Sequence, residues 1–200
     1  MAHYYSEEQD SELKLLKFKA FLRGNEFEFY SGSGVFSKKK VDKGTELLVN
    51  KCLAKEGGDI LDFGCGIGIV GIALKKDCPS CNLYLADINK RAVKLARMNA
   101  ELNNAEVRLF QGNLYEPLKG MKFDIILTNP PYTAGRDVCY KIIKEAKEHL
   151  KQKGSLQLVA RHQKGGKMLE QKMKEVFGNV KELVKKGGYR VYISEKEKID

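Results

Sequence analysis

The sequence predicts an α/β fold in which helices cover both faces of a seven-stranded, mostly parallel, doubly wound sheet. The first observation behind this prediction is that, after residue 57, short apolar runs alternate with stretches in which apolar residues recur every three or four positions. Strands separated by helices pair in parallel through right-handed crossovers. The second observation is that Gly187-Gly188 closely joins the last two strand-like runs, which predicts an antiparallel hairpin at the sheet edge.

The first 40 residues are predicted to form a small N-terminal β-hairpin extension and a loop. Apolar and polar residues alternate on both sides of a turn at residues 23–25, which is the pattern of a two-stranded hairpin. The glycine- and serine-rich segment 31–37 then predicts a flexible loop that carries one conspicuous aromatic residue, Phe36.

Residues 41–200 are predicted to form the core of the same single domain, beginning with a helix that Asp42 caps and that runs to about residue 55. Strands are predicted at residues 59–63, 82–86, 106–111, 123–128, 155–160, 180–184 and 189–194. Helices are predicted at residues 91–102 and 168–177. A further helix carries apolar residues at fourfold spacing up to Leu150, and Gly154 is predicted to end it.

The composition is that of a globular protein, with 42% hydrophobic and 31% charged residues, and 200 residues suffice for one domain. No apolar run reaches the roughly 18–20 residues that cross a bilayer, and the first residues lack a secretion signal. We therefore expect no membrane association and a cytoplasmic location.

The net charge is +10, and the last 60 residues hold 16 Lys and Arg against eight Asp and Glu. This excess favours a polyanionic partner, and a solvated lysine-rich surface explains it equally well.

The cysteines do not form a recognisable metal-binding pattern. Of the five, Cys78 and Cys81 have CxxC spacing, but no second pair has metal-ligand spacing, and the three histidines are scattered. A structural zinc site normally needs four ligands. We therefore predict no metal site and expect the cysteines to be small buried or loop residues.

A glycine-rich turn follows the first core strand. Residues 60–71 have the pattern of a strand, a tight turn and a helix start, and Gly66, Gly68 and Gly71 satisfy GxGxxG, which on its own also matches dinucleotide sites. Glycine lets the backbone approach a ligand closely. Asp62 stands at the strand end, where a carboxylate can meet an ammonium group but would repel a pyrophosphate. This arrangement favours a ligand that carries an amino acid.

Polar side chains also follow the next two strands. Asp87 lies 25 residues after Asp62 and can accept hydrogen bonds from both hydroxyls of a ribose, in either a nucleoside or a dinucleotide. Asn113 follows the third strand, where it could read an adenine amine. A pocket for an amino acid joined to a nucleoside fits S-adenosylmethionine (SAM). The residues assigned to this cofactor are Asp62, Gly64, Cys65, Gly66, Gly68, Asp87, Ile88, Asn113, Leu114 and Asn129.

The segment Asn129-Pro130-Pro131-Tyr132 directly follows the fourth apolar run and supplies the candidate catalytic residues. The Asn129 amide oxygen and a neighbouring carbonyl can both accept from an –NH2 group, and the two prolines offer no N–H to compete for them. Tyr132 offers a face on which a flat substrate can stack. This pattern predicts alkylation of an amine that is conjugated to a ring or a carbonyl, although a strand that ends in a proline turn has the same sequence.

With these motifs together, the chain resembles a class I SAM-dependent methyltransferase, with residues 62–68 as the first motif and 129–132 as the catalytic one. It is most similar to the small-domain methyltransferases of the RsmC type, and among them to short archaeal members. Segments 33–37, 41–45 and 187–191 carry this further similarity. The resemblance implies a Rossmann-like fold and methylation of the exocyclic amine of guanine in ribosomal RNA, with transfer RNA as another candidate. It also implies that bacterial members carry an additional N-terminal domain.

Four residues are predicted to contact the substrate: Phe36, Lys38, Arg161 and Lys164. Phe36 could close over the cofactor or the base, and it could equally pack the hairpin onto the core. The basic residues form an RNA-contacting surface or a solvated loop. Three other functions stay open from the sequence: methylation of a protein glutamine amide, nicotinamide-dependent oxidoreduction and RNA binding without catalysis. The oligomeric state is open as well.

Overall fold

The computed structural model describes residues 7–8, 12–37 and 39–197, and most of these residues are arranged around a seven-stranded sheet. The strands in chain order are β1 (Leu15–Leu22), β2 (Asn25–Gly32), β3 (Asp59–Phe63), β4 (Asn82–Asp87), β5 (Arg108–Gln111), β6 (Phe123–Thr128), β7 (Leu150–Arg161), β8 (Lys181–Lys186) and β9 (Tyr189–Glu195). The α-helices are α1 (Lys43–Lys51), α2 (Ile69–Asp77), α3 (Lys90–Leu102), α4 (Arg136–His149) and α5 (Lys167–Phe177). A separate two-stranded sheet contains β1 and β2.

The large sheet has the strand order β5-β4-β3-β6-β7-β9-β8. The first five strands in this order are parallel, and β9 is antiparallel to both of its neighbours. Gly187 and Gly188 form the turn before β9 with φ of +57° and +80°, which is the left-handed region that glycine adopts readily. The predicted α/β fold with an antiparallel edge hairpin is confirmed.

The strand register brings four strand ends to one edge of the sheet. Phe63, the last residue of β3, pairs with Ala86 of β4 and with Thr128 of β6, and Asp87 pairs with Gln111 of β5. The polar residues that follow these strands therefore lie side by side. In sheets of this kind, ligands bind beyond the carboxyl ends of the strands.

The predicted N-terminal hairpin is confirmed, and two asparagines, one in α3 and one that caps its C-terminus, attach the hairpin to the core. The buried Asn99 side chain accepts a hydrogen bond from the Tyr30 N–H (2.6 Å) and donates to the carbonyls of Tyr30 and Ile67 (both 2.9 Å). Asn103 pairs with the Glu28 backbone in the same way. These amides satisfy backbone groups that β2 would otherwise expose along its edge.

Residues 33–37 of the segment predicted to be a flexible loop form a loop, and hydrogen bonds attach it to the start of α3. The backbone oxygen of Ser33 accepts a hydrogen bond from Arg91 Nη1 (2.9 Å), and that of Gly34 accepts one from Asn89 Nδ2 (3.0 Å). The first residues of the segment belong to β2. The side-chain donors that bind this loop are distant in sequence, so they could not be predicted from the loop's own glycines and serines.

Helix α1 begins as predicted and ends early. Asp42 Oδ1 accepts from the N–H groups of Gly44 (2.9 Å) and Thr45 (3.2 Å), which makes Asp42 the N-cap. The helix ends at Lys51 rather than near residue 55. After the helix the backbone becomes extended, because the Leu53 N–H donates to Gln157 Oε1 on β7 (2.8 Å) and not to a helix carbonyl.

The predicted role of Gly154 as a helix end was wrong. Helix α4 ends at His149, and Leu150 already pairs with Phe123 as the first residue of β7. Gly154 lies inside β7, where an added Cβ would lie 2.9 Å from the Lys151 carbonyl oxygen. The glycine therefore allows an irregularity in the strand, which sequence spacing alone does not distinguish from a helix terminus.

Two of the cysteines are joined. Cys78 and Cys81 form a disulfide after α2, whereas we expected them to be ordinary small residues. The other three, Cys52, Cys65 and Cys139, are buried thiols whose pKa values are raised by burial. Within residues 7–8, 12–37 and 39–197, no helix has the length and apolar character needed to cross a membrane.

Candidate active site

A cavity of about 540 Å³ lies beyond the carboxyl ends of β3, β4 and β6. It brings together nearly all the residues that the sequence singled out. Those that line it are Phe36, Asp62, Gly64, Cys65, Gly66, Asp87, Ile88, Asn113, Leu114, Asn129, Pro130, Pro131, Tyr132, Arg161 and Lys164. Gly68 does not line the cavity, and Lys38 lies outside the described residues.

The glycines of the turn after β3 divide into two groups. Gly64 and Gly66 have φ of +70° and +54°, and an added Cβ at either would meet no atom within 4 Å. Gly68 also has positive φ, but its Cβ would lie 3.0 Å from Ile72 and 3.2 Å from Ala96. The first two therefore leave open space where a ligand fits against the backbone, whereas Gly68 allows the close packing of α2.

Asp62 is buried at the end of β3, with 2% of its surface exposed, and it lines the cavity. Its Oδ2 accepts a hydrogen bond from the Gly71 N–H at 3.0 Å. Burial raises the pKa of this carboxyl to about 7; the Gly71 hydrogen bond opposes the rise and the charge of Asp87 adds to it. A cation that entered the cavity would favour the ionised carboxylate.

Asp87 ends β4 and holds the glycine turn in place. Its Oδ2 accepts from the Gly66 N–H (2.8 Å), and its Oδ1 accepts from the Asn89 N–H (2.9 Å). Burial raises the pKa of this carboxyl as well. Each carboxylate oxygen has further lone pairs, so Asp87 can also accept hydrogen bonds from a ligand. Asn113 is exposed at the end of β5, with its Nδ2 directed to Glu116 Oε1 (3.3 Å).

The side-chain amide of Asn129 is oriented by the start of α1. Its Nδ2 donates to Thr45 Oγ1 at 3.0 Å and lies 3.5 Å from Asp42 Oδ1. These contacts leave Oδ1 as the atom that can accept from a molecule in the cavity. Thr45 and Asp42 both line the cavity; from the sequence, Asp42 was predicted only as a helix cap and Thr45 had no predicted role. No spacing rule could have found them, because they lie 84 and 87 positions from Asn129.

The two prolines and Tyr132 form a tight turn after Asn129. Pro131 has φ −77° and ψ 85°, and the Pro130 carbonyl accepts from the Tyr132 N–H at 3.0 Å, which together form an inverse γ-turn. This carbonyl keeps one lone pair for a second donor. The Tyr132 ring lies against Gly165, where an added Cβ would be 3.2 Å from Cε1.

A few buried polar atoms in and near the cavity lining have no partner. Among the residues that the structure describes, three buried side-chain oxygens have no hydrogen-bond partner: Asp42 Oδ2, Thr128 Oγ1 and the Tyr132 hydroxyl. Thr128 immediately precedes Asn129, and the other two line the same cavity. Because most buried polar groups in folded proteins are paired, the unpaired oxygens of the two lining residues, Asp42 and Tyr132, indicate that a ligand completes their hydrogen bonding.

Basic and aromatic residues stand at another part of the cavity wall. Arg161 lies over the ring of Tyr189, with 5.6 Å between the guanidinium carbon and the ring centroid. Lys164 belongs to the short segment His162–Gly166 that links β7 to α5. Phe36 lines the cavity with 41% of its surface exposed, so part of its ring remains accessible.

The sheet is Rossmann-like, and its switch-point cavity has an acidic residue at the end of each of two adjacent strands and an Asn-Pro-Pro-Tyr turn after a third. This combination defines a class I SAM-dependent methyltransferase. The open space at Gly64 and Gly66 and the two cavity carboxylates fit the cofactor's nucleoside and amino-acid parts. Residues 26–193 match the family model described as the methyltransferase small domain, and the chain belongs to that family.

Two curated relatives differ in length. The uncharacterized protein YbxB of Bacillus subtilis is 38% identical over 97% of this chain and 98% of its own length. The ribosomal RNA small subunit methyltransferase C of Haemophilus influenzae is 34% identical over 82% of this chain and 49% of its own length. This chain thus spans about half the length of the latter. The expectation that bacterial members carry an additional domain does not hold for the Bacillus protein, and these comparisons do not support a particular similarity to short archaeal members.

Solved structures agree with the fold and the cofactor. The 16S rRNA N2 G1207 methyltransferase (RsmC) of Thermus thermophilus, in complex with AdoMet and guanosine, is 26% identical with a TM-score of 0.80. That match covers 95% of this chain and 52% of the other. A methyltransferase from Pyrococcus furiosus is 25% identical with a TM-score of 0.63, covering 72% of this chain and 78% of that one.

Proposed function

We propose that this methyltransferase transfers a methyl group to the exocyclic amine of guanine in RNA, with small-subunit ribosomal RNA as the substrate. The observation that carries the proposal is the orientation of Asn129, whose Nδ2 is bound to Thr45 so that Oδ1 can accept from an amine. The similarity to ribosomal RNA methyltransferases, one of them solved with guanosine, supports the substrate.

The cofactor is proposed to bind along the ends of β3, β4 and β5. Asp62 meets the ammonium group of the methionine part, Asp87 accepts from the ribose hydroxyls, and Asn113 lies at the adenine. Gly64 and Gly66 let the backbone come close to it. When bound, SAM supplies an electrophilic methyl group. The protein's own contribution is then mainly to hold the two reactants in line.

The acceptor amine is proposed to lie against Asn129 and Pro130. An exocyclic amine is a weak nucleophile because its lone pair is delocalised into the ring. Hydrogen bonds accepted by Asn129 Oδ1 and the Pro130 carbonyl would favour a pyramidal nitrogen and stabilise the positive charge that grows on it. The base must leave its stack to reach this position, and the Tyr132 ring is the proposed stacking surface.

RNA is proposed to approach over the basic and aromatic residues of the cavity wall. Arg161 and Lys164 supply positive charge there, and Phe36 supplies an accessible ring. Lys38 stays a prediction of the sequence. The net charge of +10 would strengthen such binding at low salt through counterion release.

Incubation with methyl-labelled SAM tests the proposed function. Total RNA, separated ribosomal and transfer RNA fractions, and whole-cell protein are offered as acceptors, and the labelled RNA is digested to nucleosides. Label in N2-methylguanosine of small-subunit ribosomal RNA is expected. Label in protein with unlabelled RNA would instead favour glutamine methylation, and binding of NADH without binding of SAM would overturn the enzyme class.

The raised pKa of Asp62 predicts a pH dependence for cofactor binding. An ammonium group binds the ionised carboxylate, so SAM affinity should rise as the pH increases towards and past the pKa of about 7. Between pH 6 and 7.5 we expect a gain of about five- to tenfold. Above about pH 8 the affinity should fall again as the ligand's α-amino group loses its proton. Isothermal titration at a series of pH values measures this.

Asp62→Asn is the matched control for this dependence. The asparagine oxygen can still accept from the Gly71 N–H, so the turn is retained, but the residue no longer titrates. The variant should bind SAM weakly and without a rise between pH 6 and 7.5. An equally steep rise in the variant would assign the pH dependence to another group.

A further inference from the structure

Asp42, whose Oδ1 lies 3.5 Å from the Asn129 amide nitrogen, holds an unused hydrogen-bond acceptor. Its Oδ1 accepts hydrogen bonds from the N–H groups of Gly44 and Thr45 and from Nδ2 of Asn129. Its Oδ2 is buried and has no partner among the described residues. A carboxylate oxygen is a strong acceptor, and leaving it unpaired in the interior is costly. A donor from a bound molecule would satisfy it.

The chemistry of candidate substrates decides which donor this is. Guanine carries its N1–H directly beside the exocyclic amine. Adenine and cytosine carry an unprotonated ring nitrogen in the equivalent position, and the side-chain amide of glutamine carries a carbonyl oxygen. A carboxylate that only accepts therefore attracts the edge of guanine and repels the other three.

We propose that Asp42 is the specificity-determining residue of this site, and that Oδ2 accepts the N1–H of guanine while Asn129 Oδ1 accepts from the adjacent amine. This inference rests on the proposed function, because it places an exocyclic amine at Asn129. Asp42, Thr45 and Asn129 line one cavity, and hydrogen bonds join the three side chains into one cluster. Oδ2 is covered in this structure, so a base reaches it after neighbouring side chains shift, as they commonly do on binding.

The variant Asp42→Asn isolates the proposed contact. Asparagine is as good an N-cap as aspartate, so its oxygen can keep the contacts with Gly44 and Thr45 and α1 should stay intact. Its –NH2 then stands where Oδ2 stood. The acceptor becomes a donor, which should oppose the N1–H of guanine and suit an unprotonated ring nitrogen.

Two nucleosides test whether Asp42→Asn inverts the preference for a protonated N1. Guanosine has both the 2-amine and the N1–H, whereas 2-aminopurine riboside has the same amine and an unprotonated N1. Their dissociation constants are measured by NMR titration on protein saturated with S-adenosylhomocysteine. The wild-type chain should prefer guanosine by about tenfold or more, within the discrimination that one well-placed base contact supplies. Asp42→Asn should abolish or reverse this preference.

Each outcome has a distinct meaning. A wild-type chain that does not prefer guanosine, or a variant that keeps the wild-type preference, overturns the role of Asp42, and the first of these outcomes can be measured even if the variant fails to fold. The proposed function is measured separately by methyl transfer to ribosomal RNA. If guanosine is preferred and the variant inverts the preference while ribosomal RNA stays unlabelled, the base recognition stands and the proposed RNA is wrong.

Discussion

Replacing Asn129 by alanine is expected to lower kcat for methyl transfer to ribosomal RNA by about 100- to 1,000-fold, the usual effect of removing one group that stabilises transition-state charge. The side chain is fixed by Thr45 Oγ1, so its Oδ1 is held in place before the substrate arrives. The positive charge develops on the amine only during transfer, and the affinity for SAM should therefore change little. Single-turnover transfer of labelled methyl groups and isothermal titration with SAM measure the two effects.

Asn113→Ala provides the control for Asn129, because it removes the same kind of side-chain amide from the lining of the same cavity, after β5 instead of β6. We expect this variant to weaken SAM binding and to leave kcat at saturating SAM close to the wild-type value. An Asn129→Ala enzyme with normal kcat would remove the proposed catalytic role. A variant in which only SAM affinity fell would make Asn129 a cofactor ligand.

Much of the site could be predicted because parallel strands end at one edge. Once β3, β4, β5 and β6 were recognised as apolar runs, a polar residue at or just beyond the end of each strand was sufficient to group four residues: Asp62, Asp87, Asn113 and Asn129. The observed bounds of β3 and β6 are the predicted ones. Both strands are bounded sharply, by glycines or by the proline pair, and such boundaries are visible in sequence.

The rest depended on contacts between distant segments. Asp42 was correctly predicted as a helix cap, but a cap does not reveal that Asn129 lies beside it. Asn99 is a polar residue of an amphipathic helix, and the sequence pattern does not distinguish it from an exposed one. It is nevertheless fully buried and binds the backbone of β2. Gly154 could equally have ended a helix or interrupted a strand. Local patterns determine which elements form, and they do not determine which side chains meet.

Replacing Asp87 by alanine is expected to reduce SAM affinity by about 100-fold or more, because two hydrogen bonds to a charged acceptor are lost at about 1.5–3 kcal/mol each. The substitution also releases the Gly66 N–H, which Asp87 Oδ2 holds at 2.8 Å. The stability of the ligand-free protein should change much less than the SAM affinity. Burial raises the pKa of Asp87, so its ionised form lowers stability, and this cost is fully present above the raised pKa and is relieved as the pH falls.

Thermal unfolding with and without SAM separates these two effects. At a concentration 100 times the wild-type dissociation constant, SAM should add about 2.7 kcal/mol to the free energy of unfolding of the wild-type chain and less than roughly 0.5 kcal/mol to that of Asp87→Ala. Asp124→Ala is the control. It removes a carboxylate that bonds Lys151 (2.8 Å) at the opposite end of the sheet, so it should lower stability and keep the full gain from SAM. If Asp87→Ala kept that gain, the role of Asp87 would be to hold the glycine turn and not to bind the ribose.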